Sequence, residues 1–494
     1  MTLGIDIGSS SIKLSLLNTD TGRMVGAVQL PEGQELTMQA PQPGWAEQDP
    51  ERWWTLIRQG CQQLMAKHKN TQGGVRAVGI SYQMHGLVLI DEAGEVLRPS
   101  IIWCDSRAVA IGEAAFAALG ADYCLPHLLN SPGNFTAAKL RWVQENEPAL
   151  YARIHRAFLP GDFIAYRLTG TAATTDSGLS EGTFYDFQTG RPAARLLDHW
   201  QLDARLLADR VPTFGKQGRV SQAAAVATGL PVGIPVSYRA GDQPNNALSL
   251  NVLNAGEVAT TAGTSGVVYG VSDKIEYDPK SRVNSFVHVN HRPADPRIGI
   301  LLCVNGTGIL NSWIKRQFGA VDYPSMNAAA AEVPIGSDGL TVLPFGNGAE
   351  RVLENRRIGA AIHGLDFNRH RREHLYRAAQ EGIAFALAYG FELMRDLGLH
   401  ARVVRAGRAN LFLSPVFREA FVQSTGSPVE LYATDGAQGA ARGAAIGAGI
   451  YASAGEAFGG LRCLATISPD GGKAAAYGEA FGRWKERLVN ALDD

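Results

Sequence analysis

The chain has 494 residues, 45% of them hydrophobic and 19% charged, with a formal charge of −1. This composition supplies ample core and excludes a disordered or collagen-like chain, and near-neutrality argues against a nucleic-acid protein with its basic face. The 56 glycines exceed the usual share of about 7%, which implies many tight turns and close backbone approaches.

Read in chain order, Leu3–Leu17 is an apolar strand, a Gly8-Ser9-Ser10 turn and a second strand; a polar turn and the strand Met24–Val28 complete an antiparallel meander. A helix is predicted from Pro50 to Lys67, capped by Asp49 with proline at its first position. A buried strand follows over Val75–Ser81, and strands then alternate with helices, the pattern of an α/β protein. About half a chain later the turn returns as Gly263-Thr264-Ser265 between apolar strands. Length alone allows about three domains; the echo predicts two related lobes that abut along a cleft.

Several chemistries are excluded by missing motifs. The chain has no G-x-x-x-x-G-K-[ST], no GxGxxG, and neither HRD nor DFG. His370 and His374 lack the glutamate of a zinc-protease helix and read as a surface pair. The five cysteines are scattered without a CxxC, which supports no disulfide framework. With no signal-like N-terminus and no apolar run of about 18 residues, the expectation is a cytoplasmic protein without a membrane partner.

Two centres carry chemistry. In Asp6-Ile-Gly-Ser-Ser-Ser-Ile-Lys13, a turn of small residues lets amides and hydroxyls face a phosphate, and an acid at the strand end can hold a hydrated magnesium ion. In Ala240-Gly-Asp242-Gln-Pro-Asn, an acid follows a strand and a glycine. It either caps the next helix or accepts a proton from a hydroxyl attacking a phosphoryl group, and both can hold.

These segments, with Trp45–Trp54, Ile80–Asp91, Arg98–Arg107, Leu159–Gly170 and Thr261–Gly266, make the chain similar to the FGGY family of sugar kinases over nearly its whole length. Within that family Gln83-Met84-His85-Gly86 resembles the xylulokinase branch. The resemblance implies two actin-like lobes of the ribonuclease H-like (ASKHA) class, here 1–250 for the sugar and first phosphate loop and 251–494 for ATP. It implies transfer of the γ-phosphoryl group of ATP, with Mg²⁺, to a ketose hydroxyl, with D-xylulose as the expected acceptor and ribulose or sedoheptulose as alternatives. Small-molecule sugar and ATP are then the partners, no nucleic acid is involved, and a homodimer is compatible.

By the same resemblance Asp242 is the catalytic base. Gln83, Met84, His85, Trp103, Asp105 and Gln243 belong to the sugar site. Gly8, Ser9, Ser10, Lys13, Gly263, Thr264, Ser265, Gly306, Thr307, Gly407, Arg408 and Asn410 belong to ATP and its phosphates, and Asp6 holds the metal through water. Departures from the branch pattern fall at Cys104, Gln243 and Arg408. An actin- or Hsp70-like nucleotide switch would reuse the same turns; the retained Asp242 and the Gln-Met-His-Gly motif argue against it, and a silent sugar sensor would lack Asp242.

Overall fold

The computed structural model describes residues 1–68 and 74–493. Its first sheet opens with the expected meander: β1 (Thr2–Ile7), β2 (Ile12–Asn18) and β3 (Arg23–Leu30). Helix α1 (Pro50–Lys67) follows, its first turn capped by Asp49, whose carboxylate accepts from Glu51 N–H at 2.9 Å. Strand β4 (Val78–Tyr82) begins three residues later than the sequence suggests, because Val75–Ala77 lie outside the ladder. A largely helical stretch then includes α2 (Ala121–Leu128), α3 (Thr136–Asn146), α4 (Pro160–Thr169) and α5 (Asp176–Glu181). Strand β5 (Val236–Gly241) returns to the sheet and runs directly into α6 (Asp242–Ser249). The strand order is β5-β4-β1-β2-β3, with β1, β4 and β5 parallel.

The second sheet repeats this plan. Strands β6 (Glu257–Ala262) and β7 (Gly266–Ser272) flank the second Gly-Thr-Ser turn, followed by β8 (Asn284–Val287) and β9 (Ile298–Val304). Helices α7 (Gly308–Gln317) and α8 (Arg372–Asp396) precede β10 (Val403–Gly407) and β11 (Val429–Tyr432); α9 (Gly436–Gly447) and the edge strand β12 (Cys463–Ile467) complete it. Its order is β8-β9-β7-β6-β10-β11-β12. Strands β9-β7-β6-β10-β11 thus match β3-β2-β1-β4-β5 of the first sheet, with β6, β10 and β11 parallel. The half-chain echo of glycine turns is therefore an echo of whole sheets.

The helices after the two fifth strands join the halves. Helix α9 lies across the first sheet, against β1, β4 and β5. It approaches so closely that a Cβ at Gly4 or Gly79 would overlap the carbonyl oxygens of Ala437 and Ala440. The helix is built from alanine and glycine for this reason, and its carbonyls accept from sheet hydroxyls: Thr2 to Ala441 and Ser237 to Ala444, both at 2.8 Å. In exchange, Ala247 of α6 and the following Leu250 pack with Ala259, Tyr269 and Val271 of the second sheet.

Replacing Gly79 by alanine puts a methyl group into the backbone of α9. We expect a loss of about 1–3 kcal/mol, the usual cost of overpacking, read as a lower urea midpoint with an unchanged denaturant slope.

Candidate active site

Because β1, β4 and β5 are parallel, their carboxyl ends open on the same edge of the sheet. That edge carries the Gly8–Ser10 turn, the Gln83–His85 segment and Asp242. The matching edge of the second sheet carries Gly263–Ser265, Gly407–Asn410 and the start of α9. This is where ligands settle on open α/β sheets.

Asp242 is the first residue of α6, with Gly241 as the cap, so it is a residue of the helix's first turn and not its N-cap. Burial, and then the neighbouring Asp6 carboxylate, push its pKa up to about 7, while the amide and side chain of Gln243 pull the other way. A carboxylate poised there is suited to taking a proton near neutrality. Directly behind Gly241 stands Glu181, fully buried, with neither oxygen hydrogen-bonded. Burial and the negative charge of Asp242 raise its pKa well above the usual carboxyl range.

His85 takes a positive φ of 60°, an uncommon conformation for a residue with a side chain. Its Nδ1 lies 2.8 Å from the Glu181 carbonyl, and burial followed by the Lys139 charge lowers its pKa to about 3. The ring is therefore neutral and carries its proton on Nδ1, which leaves Nε2 as an acceptor for a hydroxyl. Phe135 meets the ring edge-on at 4.8 Å and Phe286 packs at 5.5 Å. Met84 is buried between the same two phenylalanines, as wall. Lys139 Nζ donates to the carbonyls of His85 and Ile102, at 2.7 and 3.0 Å.

Other members of the expected sugar site are placed differently. Gln83 Nε2 donates to Gln48 Oε1 at 2.9 Å, and Gln48 Nε2 donates to the Ser9 carbonyl at 2.7 Å. Gln83 thus braces the first phosphate turn through Gln48, while its Oε1 has no hydrogen-bond partner. Asp105 is fully buried, accepting from Ala46 N–H at 2.6 Å and forming an ion pair with Arg107, also 2.6 Å. Arg107 in turn stacks on Trp45, 3.7 Å from the ring centre, and reaches Glu47 at 2.8 Å. Asp105 is a strut of this cluster, with no oxygen left for a ligand. Trp103 is 51% exposed. Gln243 stays beside Asp242.

Asp6 accepts from the Ser81 hydroxyl at 2.8 Å and pairs across the ladder with Lys13. Burial dominates a raised pKa at Asp6, and Asp435 at the start of α9 adds to it. The turn itself is held by Gly8 N–H donating to Ser11 O at 3.0 Å, which leaves Ser10 exposed at its tip.

On the second lobe a cavity of about 750 Å³ opens beside the other turn. Gly263, Thr264, Gly308 and Asn410 line it, joined by Asn311, Tyr323 and Asn327, which sequence reasoning missed. The polar pair Asn311-Ser312, after the apolar Ile309-Leu310, was the available signal. Gly306 and Thr307 do not line it: a Cβ at Gly306 would overlap the Pro344 carbonyl, and the Thr307 hydroxyl donates to Val304 O at 2.9 Å. They shape the loop from behind. Ser265 sits beside the Cys303 thiol, and Gly407 with the exposed Arg408 ends β10 outside the lining. His370 and His374 bond locally to Asp366 and Asp338, but they are not the expected surface pair: His374 is buried in the first turn of α8 and His370 precedes that helix.

The second turn depends on Gly308, whose amide donates to Gly263 O at 2.9 Å and whose Cβ, if present, would overlap that oxygen. Gly308→Ala is expected to displace the turn and weaken ADP binding about tenfold in calorimetric titration. Unchanged affinity in a folded variant would show that this turn does not cradle phosphate.

Comparison with known proteins agrees with this geometry. Residues 1–249 match the N-terminal domain of the FGGY family of carbohydrate kinases, and residues 258–452 match its C-terminal domain. The chain is 30% identical to the xylulose kinase of Escherichia coli K12 over 99% of both chains. It is 29% identical to the L-xylulose/3-keto-L-gulonate kinase of the same organism, over 99% of this chain and 97% of that one. The crystal structure of xylulose kinase from Rhodospirillum rubrum superposes with a TM-score of 0.88 at 26% identity, covering 99% of this chain and 98% of that one. A twice-built sheet, facing glycine turns, an acid beginning the helix after β5 and a matching family over both halves lead to one conclusion: this chain is a member of the FGGY family of carbohydrate kinases.

Proposed function

We propose that the chain phosphorylates D-xylulose with ATP, giving D-xylulose 5-phosphate and ADP. The observation that carries this reading is the pairing of Asp242, raised to about 7, with a neutral His85 whose free Nε2 belongs to the same strand-end edge. The sugar occupies the first lobe, within 1–250, and ATP the second, within 251–494; α9 and the segment after it, through Ala457 and Phe458, pack on the first sheet from the second half.

Asp242 accepts the proton of the attacking hydroxyl as its oxygen bonds to the γ-phosphorus and the bridging bond to ADP breaks. His85 Nε2 accepts from a second hydroxyl and orients the sugar. Phe135, Phe286 and Met84 exclude water, which competes as an acceptor. The amides of Ser9 and Ser10 and of the Gly263–Ser265 turn face the phosphates from either side. Asn410 and Tyr323 bound the cavity in which the nucleoside lies.

Magnesium fits this arrangement as a hydrated ion. Among the described residues no three acidic, histidine or cysteine groups are close enough to hold a bare metal. Asp6, however, lies near Asp242 and Asp435; desolvation and then the Asp435 charge raise its pKa, while its own charge raises that of Asp242. A hydrated cation held by Asp6 would supply charge neutralisation between these carboxylates and the phosphates. A cytoplasmic location belongs to the same reading, since the five cysteines stay free. The near-equal identity to a kinase named for L-xylulose and 3-keto-L-gulonate makes L-xylulose the second acceptor to test.

Assay of ADP release against D-xylulose, L-xylulose, ribulose, sedoheptulose and glycerol should give the highest kcat/KM for D-xylulose; a higher value for another sugar replaces the acceptor. Asp242→Asn should lower kcat at least about 100-fold, the usual scale of a general base, while calorimetry shows ADP binding unchanged. Asp242 is inactive as a base once protonated. The wild-type kcat/KM should therefore fall about tenfold per pH unit below about 7, and this acid limb should be absent from the residual activity of Asp242→Asn.

A further inference from the structure

Strand β8 is the edge of the seven-stranded second sheet, yet it is wholly buried. An edge strand presents unpaired backbone groups on its outer side; here two side chains of the first lobe take them. Asn130, between α2 and α3, binds Ser285 in both directions. Its Oδ1 accepts from Ser285 N–H at 3.1 Å, and its Nδ2 donates to Ser285 O at 2.8 Å. Two residues on, Val287 N–H donates to the Ser180 hydroxyl at 2.9 Å. Both side chains are 1% exposed, and both are fixed from behind: Asn130 by Leu128 O at 3.1 Å and Ser180 by Ser177 O at 2.8 Å.

Residue 286 lies between the two gripped positions. Its phenyl ring packs 5.5 Å from His85 and 6.1 Å from Phe135. Ser180 is followed by Glu181, whose carbonyl holds His85 Nδ1 at 2.8 Å. The Ser180-Glu181 dipeptide therefore holds the second lobe through a side chain and the acceptor-site histidine through its backbone. Loosening β8 would let Phe286 withdraw from His85 without touching the nucleotide cavity, whose lining contains no residue of β8.

We propose that Asn130 and Ser180 are positioning residues for the acceptor: by gripping β8 they seat Phe286 against His85 and tie binding of the sugar to contact between the lobes. The inference rests on the reading that the ketose binds beside His85 and Asp242. It assigns these two residues to acceptor affinity, although neither touches the sugar.

The test uses the full chain with the sugar that the wild type prefers in the panel above. Asn130→Ala and Ser180→Ala should each raise the KM for that sugar about tenfold, the scale of a lost buried hydrogen bond. The KM for ATP and the kcat at saturating sugar should stay within about twofold, and amide exchange at Ser285 and Val287 should quicken. A folded variant with faster exchange but unchanged sugar KM, or with sugar and ATP KM raised together, overturns the proposal and leaves the contacts as packing. If Asn130→Ala does not fold, Ser180→Ala decides by the same split. A wild type that phosphorylates no sugar overturns the functional reading and this inference with it, an outcome distinct from an active wild type with an indifferent Ser180→Ala.

Discussion

The contact on which the rest of the molecule depends is the seating of α9 on the first sheet. A helix made largely of alanine and glycine lies with its backbone almost on the strands, and its carbonyls accept hydroxyls from Thr2 and Ser237. The seating also sets the chemistry. The first residue of α9 is Gly436, where a Cβ would strike the Asp6 carboxylate. Asp435, which caps the helix by accepting from Gln438 N–H at 2.9 Å, is thereby brought to the same place. The helix of one half thus ends among the acids of the other, and the cleft inherits its geometry from a packing contact.

That geometry concentrates negative charge. Asp6, Asp242, Glu181 and, on the second lobe, Glu350 all have pKa values raised chiefly by burial, Glu350 to about 7. Such a site does not suit a polyanion by itself, and the chain as a whole offers no compensation at a formal charge of −1. On the proposed reading, backbone amides of the two turns and a hydrated cation, with Lys13 beside Asp6, resolve the conflict by bringing positive potential to the phosphates. The same crowding gives Asp242 its affinity for a proton. A lone exposed aspartate, with a pKa of about 3.9, would be a weaker base for a sugar hydroxyl.

Much of this was legible in the residues, for reasons that differ by element. The Asp49-Pro50 start of α1, the meander and the repeated glycine turn are local signals, written in short-range chemistry that needs no partner. Asp242 and His85 stood out as candidates because the residues around them form ordered motifs. Misplacements came where a motif residue acts through its neighbours: Gln83 serves Gln48 and the Ser9 carbonyl, Asp105 serves Arg107, and Thr307 serves Val304. The Gln83 amide nitrogen, the Asp105 carboxylate and the Thr307 hydroxyl have the right chemistry for ligands and bond to other parts of the chain, which only three-dimensional contacts reveal. Glu181 and Asn130 were invisible for the opposite reason, since nothing local marks a Ser-Glu-Gly or Leu-Asn-Ser tripeptide as lying beneath a base or beside a foreign strand.

Phosphoryl transfer to a sugar must outcompete transfer to water, and a cleft between two lobes excludes water only while the lobes touch. On the proposed reading the touching surfaces include acceptor-site residues. Phe286 comes from the edge of the second sheet and His85 from the first, and their approach is held by hydrogen bonds between the lobes. An acceptor that fills the space beside His85 therefore supports the same contact that shuts out solvent, whereas water, too small to bridge the walls, gains nothing from it. Discrimination against hydrolysis then needs no dedicated group. It follows from building the acceptor pocket out of both lobes.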